Sequence, residues 1–302
     1  MAIYNKGSLS SYWIIKRYLV GYGFLLPAFL IYILFVLKPL MFTFYLSFVE
    51  WDGVAAIKRF VGWGNYSKML RSDIFWEALY HNVVWTGLML AVPLLLGLVL
   101  AVILDRSKIR AKRVFMTIFF APGVLALIMV GIIWGWIYNP QFGVLNTVLN
   151  LLGLNHLTRG WLGDPKWALV CIIGAGAWTY YGFCMVIYYA ALQGIDQNLY
   201  EAAKIDGATE LQCFIYITIP SLRTITTFLI LISLINSFKV FDIVYTMTRG
   251  GPSTSSEVLA THTFVKAFEE NQVGYGSAVC SILTIIILLS TYVFLVYRER
   301  SS

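Results

Sequence analysis

Long stretches without charge limit this chain more than any other feature. Tyr18 to Leu37, Asn82 to Leu104, Val114 to Tyr138, Trp167 to Leu192 and Asn271 to Tyr297 contain no Asp, Glu, Lys or Arg and are dominated by apolar residues. About 20 helical residues cross the hydrocarbon core of a bilayer, so each stretch is long enough to span. A sixth, Thr224 to about Thr246, is interrupted by Lys239 and Asp242. With 59% hydrophobic and 12% charged residues, the 302-residue chain has too few charges to coat a soluble globule, which carries about 25%. That balance excludes a disordered or nucleic-acid-binding chain. An all-α polytopic membrane protein with six transmembrane helices is expected, because helices satisfy their own backbone in lipid and a barrel would show short alternating segments. Pro27, Pro93 and Pro122 fall in or near spans and are expected kink points.

The net charge of +7 gives an orientation. Twelve Lys and Arg fall on one side of the spans, five of them between Arg106 and Arg113, and eight on the other. The positive-inside rule makes the richer side cytoplasmic. The expected organisation is a cytoplasmic segment 1–17, a transmembrane domain 18–297 with a cytoplasmic loop 193–223, and a cytoplasmic tail 298–302. The first span is longer than a signal-peptide core and lacks a small-residue cleavage site, so it is expected to be retained.

Catalytic or metal chemistry has little support. Cys171, Cys184 and Cys280 lie in spans and Cys213 in a cytoplasmic loop, with no C-x-x-C spacing. His81, His156 and His262 are scattered near the outer side, where solvated or interfacial packing is the expectation. No G-x-x-x-x-G-K-[ST] phosphate loop occurs, so nucleotide energy would come from another subunit.

The cytoplasmic loop from Gln193 to Arg223 reads QGIDQNLYEAAKIDGATELQCFIYITIPSLR. Leu199, Ala202, Ala203 and Ile205 fit the apolar side of a short helix, with Asp196 or Asn198 as N-cap. Gly207 can turn without steric cost, ending that helix before a second begins near Thr209. Such a helix-turn-helix is a docking shape, and an interfacial helix capping the bundle is the plainer alternative.

From Glu201 to Pro220 the loop follows E-A-A-x₃-G-x₉-I-x-I-P, which resembles the EAA motif of permease subunits in ATP-binding-cassette (ABC) importers. The family pattern ends I-x-L-P, and Ile219 stands in place of the Leu. The stretches GWGNYSKML from Gly62, WGWIYNPQFGVLN from Trp134, WLGDPKWA from Trp161, LYEAAKIDGA from Leu199 and TRGGPSTSSEVL from Thr248 are similar to blocks of the maltose-permease-like sugar branch, in the same order. The resemblance implies the type I permease fold, with a second related permease chain, two copies of a cytoplasmic ATPase, an extracytoplasmic solute-binding protein and a prokaryotic cell membrane. It implies no cofactor in this chain, ATP and Mg being held by the ATPase, and no catalytic role. Glu201, Ala202, Ala203, Asp206, Gly207, Ile217 and Pro220 then form the coupling element, Glu201 meeting a basic residue in an ATPase cleft.

Polar groups deep in a span suggest a pathway. Ser233, Asn236 and Ser237 lie near the middle of the fifth span at i, i+3 and i+4, hence on one helix face. Path-lining is favoured over helix–helix hydrogen bonding, which fits the same residues. Lys239 and Asp242, three apart, are expected to pair with one another. Trp178, Thr179, Tyr180, Tyr181 and Phe183 sit near the midplane of the fourth span, where aromatic faces and hydroxyls suit a neutral carbohydrate. By resemblance, Thr179, Tyr180, Phe183, Ser233, Asn236 and Ser237 fall on or beside the family's sugar-contacting region. A polyol phosphate such as glycerol 3-phosphate is the alternative substrate, with Lys239 as its available cation. A secondary transporter would want inverted repeats and buried ionisable groups. A membrane enzyme would want clustered His, Asp, Glu or Cys.

Residues 39–81 and 139–166 form the longer outer loops. Val144, Leu145, Val148, Leu149 and Leu152 have helical spacing there, and Gly250-Gly251-Pro252 marks a tight turn.

Overall fold

A computed structural model describes residues 6–54, 59–107 and 110–300. Residues 1–5 and 301–302 of the two expected cytoplasmic ends, and Lys58 and Lys108 of the charge count, lie outside the described residues.

The first span runs from Val20 to Leu46. It is built from α1 (Lys6–Tyr32), a π-helical turn at Ile33–Leu37 and α2 (Lys38–Leu46). A hairpin of β1 (Val49–Glu50) and β2 (Arg59–Phe60), antiparallel with Val49 opposite Phe60, leads to α3 (Gly64–Leu70). The second span, α4 (Asp73–Arg106), is about 50 Å long at 1.5 Å per residue. Pro27 and Pro93 remain inside their helices.

Pro122 does break its span. Between α5 (Lys112–Phe120) and α6 (Leu127–Ile137) the chain passes through a 3-10 turn at Ala121–Val124 and bends by 98°. Proline lacks the N–H that the helix ladder needs, and Leu125 and Ala126 are extended. Next come α7 (Val144–Leu151), at the apolar spacing read in the sequence, and the fourth span α8 (Ala168–Leu192). Three short helices follow, α9 (Gln197–Ile205), α10 (Glu210–Cys213) and α11 (Ile219–Ser221). A bend of 62° then turns the chain into α12 (Arg223–Phe238), and the span resumes after a gap as α13 (Asp242–Thr248). The chain closes with α14 (Leu259–Phe264) and α15 (Val273–Arg300). Four helices are long and apolar enough to cross a membrane, and with each of two bent pairs counted as one span the number rises to six.

Packing centres on α4 against α8. Leu94, Ala101 and Leu104 of α4 meet Cys184, Met185, Tyr188 and Leu192 of α8 and Leu229 of α12 in one buried cluster. The two helices approach until a Cβ added at Gly97 would lie 2.6 Å from Cys184 Cβ. A Cβ at Gly182 on the same helix would collide with the Phe119 carbonyl of α5. A second cluster joins Trp85 of α4 to Ile172 and Ala175 of α8 and to Ile243 and Val244 of α13. Many large apolar side chains on α1, α2, α4 and α15 remain exposed, as a surface facing lipid or a partner chain requires.

Candidate functional site

Beside that core lies a cavity of about 290 Å³ lined from five helices. Trp85 and Met89 come from α4, Leu127 from α6, Gly176, Thr179 and Tyr180 from α8, and Ser233, Asn236 and Ser237 from α12. Lys239, Val240 and Phe241 follow from the gap and Asp242 and Ile243 from α13. The i, i+3, i+4 spacing brings the three α12 residues to one wall. Ser233 Oγ donates to Tyr180 Oη at 3.1 Å, linking α12 to α8 across the cavity edge. The Thr179 hydroxyl donates back to the Gly176 carbonyl at 2.7 Å, leaving its lone pairs as acceptors. Asn236 is exposed, while Thr179, Ser233 and Ser237 are buried. Aromatic surface, hydroxyls and one amide therefore converge at midspan.

Phe183 is not among the lining residues. It packs instead into the α4–α8 cluster and tilts against Tyr180 with ring centroids 5.5 Å apart. Trp178 and Tyr181 also point elsewhere, against Trp134 and Phe119. Trp85, Met89 and Leu127 complete the wall. Trp85 lies near the outer end of the uncharged stretch Asn82–Leu104, where tryptophan is common at a membrane interface, so its position in the sequence did not mark it.

Lys239 and Asp242 do not form the expected ion pair. Ion pairs form instead at Arg106–Glu210, Lys204–Glu210, His262–Glu257 and Lys266–Glu270. Spacing of three sets two residues on one face only along a continuous helix. Here α12 stops at Phe238 and α13 restarts at Asp242, with Phe241 outside helical angles, so the shared face is lost.

Two histidines depart from the solvated expectation. His262 is fully buried, with Nδ1 2.8 Å from Glu257 Oε1 and Nε2 3.3 Å from the Tyr275 hydroxyl. His81 is also buried, and its Nδ1 donates to the Glu257 carbonyl at 2.8 Å. Neighbouring Asn82 accepts from the Leu259 N–H at 2.7 Å. These bonds fix the segment after Gly250-Gly251-Pro252 onto α4 and α15. His156 is exposed.

The loop 193–223 forms the expected helix-turn-helix. Asp196 caps α9, its carboxylate accepting from the Asn198 N–H at 3.0 Å. Gly207 sits at φ +83 with open space around it, so the left-handed backbone rather than crowding demands glycine. Thr209 and Gln212 close a capping box on α10, with bonds of 3.3 and 2.7 Å. Tyr200 reaches Thr218 at 2.9 Å between hydroxyls and anchors α9 to the segment before α11. Ile217 is half-buried there, and Pro220 is exposed just before the 62° bend. Glu201, Ala202, Asp206 and Gly207 are exposed and Ala203 half-buried. Leu199 is 50% and Ile205 86% exposed, so the apolar side of α9 is left uncovered by its own chain.

Apolar candidate spans, a cavity between four of them that carries hydroxyls and an amide among apolar side chains, and a helix-turn-helix in the loop 193–223 together fit a membrane permease. Residues 93–301 match the family described as the binding-protein-dependent transport system inner membrane component. A probable ABC transporter permease of Pyrococcus horikoshii is 37% identical over 277 residues, covering 92% of this chain and 94% of that protein. The lactose transport system permease of Rhizobium radiobacter is 32% identical, covering 99% of this chain and all of its own. The trehalose/maltose transport system permease of Thermococcus litoralis is 32% identical, with 91% of this chain and 92% of that protein covered. A chain from a bacterial ABC transporter involved in importing the acidic polysaccharide alginate shares the fold at a TM-score of 0.84 and 23% identity, over 96% of this chain and 99% of that one. This chain belongs to the binding-protein-dependent ABC permease family and has its type I fold.

Proposed function

We propose that this chain is a non-catalytic permease subunit that conducts a neutral sugar or oligosaccharide across the cell membrane of a prokaryote. In this reading both termini are cytoplasmic. A second related permease completes the pathway, a solute-binding protein delivers substrate, and two ATPase copies hold ATP and Mg. The observation that carries it is the midspan cavity, where Trp85 and Tyr180 present apolar ring surface beside the hydroxyls and amide of Thr179, Ser233, Ser237 and Asn236. Rings suit the C–H faces of a sugar and the polar groups suit its hydroxyls. The lactose and trehalose/maltose names of two relatives support the same class. Lys239 and Asp242 both line the cavity, one charge of each sign, so the lining has no net charge to select an anion, which favours a neutral substrate.

The residues of the loop 193–223 have the second role. ATP draws the ATPase copies together, the exposed side of α9 with Glu201 rides in a cleft on one of them, and Gly207 holds the turn between the two arms. Only a difference in ATPase affinity between the outward- and inward-facing states shifts the equilibrium between them. The chain transmits that difference and makes no bonds.

The test is uptake of labelled lactose and maltose into proteoliposomes holding the permease pair, the ATPase and the binding protein. Uptake that needs both Mg-ATP and the binding protein is expected. Uptake driven by an ion gradient without the ATPase overturns the proposal in favour of a secondary transporter.

A further inference from the structure

Arg106 ends α4, the helix whose Trp85 and Met89 form one wall of the cavity. From Met89 to Arg106 the helix rises about 25 Å. The Arg106 guanidinium donates from Nη1 to Glu210 Oε2 at 2.8 Å. The other oxygen of that carboxylate meets Lys204 Nζ at 3.2 Å. Lys204 lies in the last turn of α9 and Glu210 in the first turn of α10. One carboxylate thus gathers both arms of the helix-turn-helix onto the end of the cavity-wall helix. Lys112 Nζ donates to the Asp105 carbonyl at 2.9 Å and ties the start of α5 to the same point.

Two routes then lead from α9 to the cavity. The covalent route runs through α10, α11 and the 62° bend to Ser233 and Ser237 on α12. The ionic route runs through Glu210 and Arg106 up α4 to Met89 and Trp85. The covalent route ends on one wall and the ionic route on another, so the ionic contact, with the Gln193 amide that donates to the Asp105 carboxylate, adds a direct link from the loop to the α4 wall beside the packing of α4 on α8 and α12.

We propose that Glu210 is a positioning residue that latches α9 and α10 to α4 through Lys204 and Arg106, so that motion of the coupling helices carries the Trp85–Met89 wall with it. The proposal rests on the coupling role of the loop 193–223 given above. The Arg106, Lys204 and Glu210 side chains are 38%, 59% and 64% exposed. Exposed pairs contribute little to stability, so breaking the latch leaves the chain folded and changes only how movement is shared. High salt weakens it by screening.

Spin labels on Tyr80→Cys, at the opposite end of α4, and Asn198→Cys, in α9, read the proposal in the assembled complex in nanodiscs, with Mg-ATP as the probe. In the otherwise native chain the label distance is expected to be narrow and unchanged by Mg-ATP. Glu210→Gln and Arg106→Glu are each expected to broaden and shift it once Mg-ATP is added, with the ATPase still co-purifying. Arg106→Glu combined with Glu210→Lys is expected to narrow it again. A Glu210→Gln distribution identical to that of the native chain throughout, a swap no better than Arg106→Glu alone, or loss of the ATPase from the Glu210→Gln complex overturns the latch. If Gly207→Val stops ATP-driven uptake while Glu210→Gln leaves every distance unchanged, the latch fails and the coupling role stands. If neither variant alters uptake, the coupling role itself fails.

Discussion

The cavity and the helix-turn-helix of residues 193–223 are built on opposite terms. Around the cavity, buried side chains find partners within the chain: Ser233 bonds Tyr180, Thr179 bonds its own helix, and Trp85 packs between α4, α8 and α13. At the coupling end the anchored residues are Tyr200, Ile217 and Glu210, while Leu199, Ile205, Leu211 and Tyr216 remain exposed. Exposed apolar surface of that kind marks an interaction site. The cavity wall is shaped within one chain, whereas the helix-turn-helix leaves apolar surface that its own chain does not cover.

Substitutions can separate the two regions. The largest effect is expected where the cavity wall depends on close backbone approach. Gly182→Val drives a side chain into the Phe119 carbonyl, and overpacking of this kind costs about 1–3 kcal/mol, occasionally more. Yield of folded permease and its unfolding temperature should both fall. Gly207→Val is expected to cost less in stability, since nothing crowds that position, yet to abolish ATP-driven uptake by destroying the left-handed turn. Intact membrane insertion with lost uptake is the signature, and unchanged uptake would break the division between the regions.

Smaller effects sharpen it. Asn236→Ala removes an exposed amide that makes no side-chain hydrogen bond among the described residues, so thermal stability should hold. Saccharide affinity should drop about two- to tenfold, the loss of one hydrogen bond, as read from the substrate concentration that half-saturates uptake. Asp196→Ala removes the α9 cap, a change of about 1 kcal/mol in helix stability. It should lower ATPase stimulation by the binding protein modestly and leave saccharide affinity untouched.

Much of this was legible in the chain because the bilayer allows few solutions. Uncharged length announced the spans, and Asp196, Gly207 and Thr209 announced the helix-turn-helix through chemistry confined to a few residues. The α12 face was legible for the same reason, since Ser233, Asn236 and Ser237 depend only on local helical spacing. Readings that needed distant partners fared worse. The helix break at Lys239–Phe241 undid the expected ion pair, and Phe183 turned into the core because α8 is buried on more than one side. His81 and His262 gained their partners from Glu257 and Tyr275, far away in sequence or across a turn. The Arg106–Glu210 contact spans 104 positions, beyond any local pattern.

The proposed seat for the ATPase is the exposed side of α9. Ile205→Cys, at a position 86% exposed in the chain alone, tests it through its rate of labelling by a water-soluble maleimide with and without the ATPase bound. Assembly is expected to slow the labelling sharply while labelling of Tyr80→Cys, at the far end of α4, stays constant. An Ile205→Cys rate unaffected by the ATPase would rule that seat out.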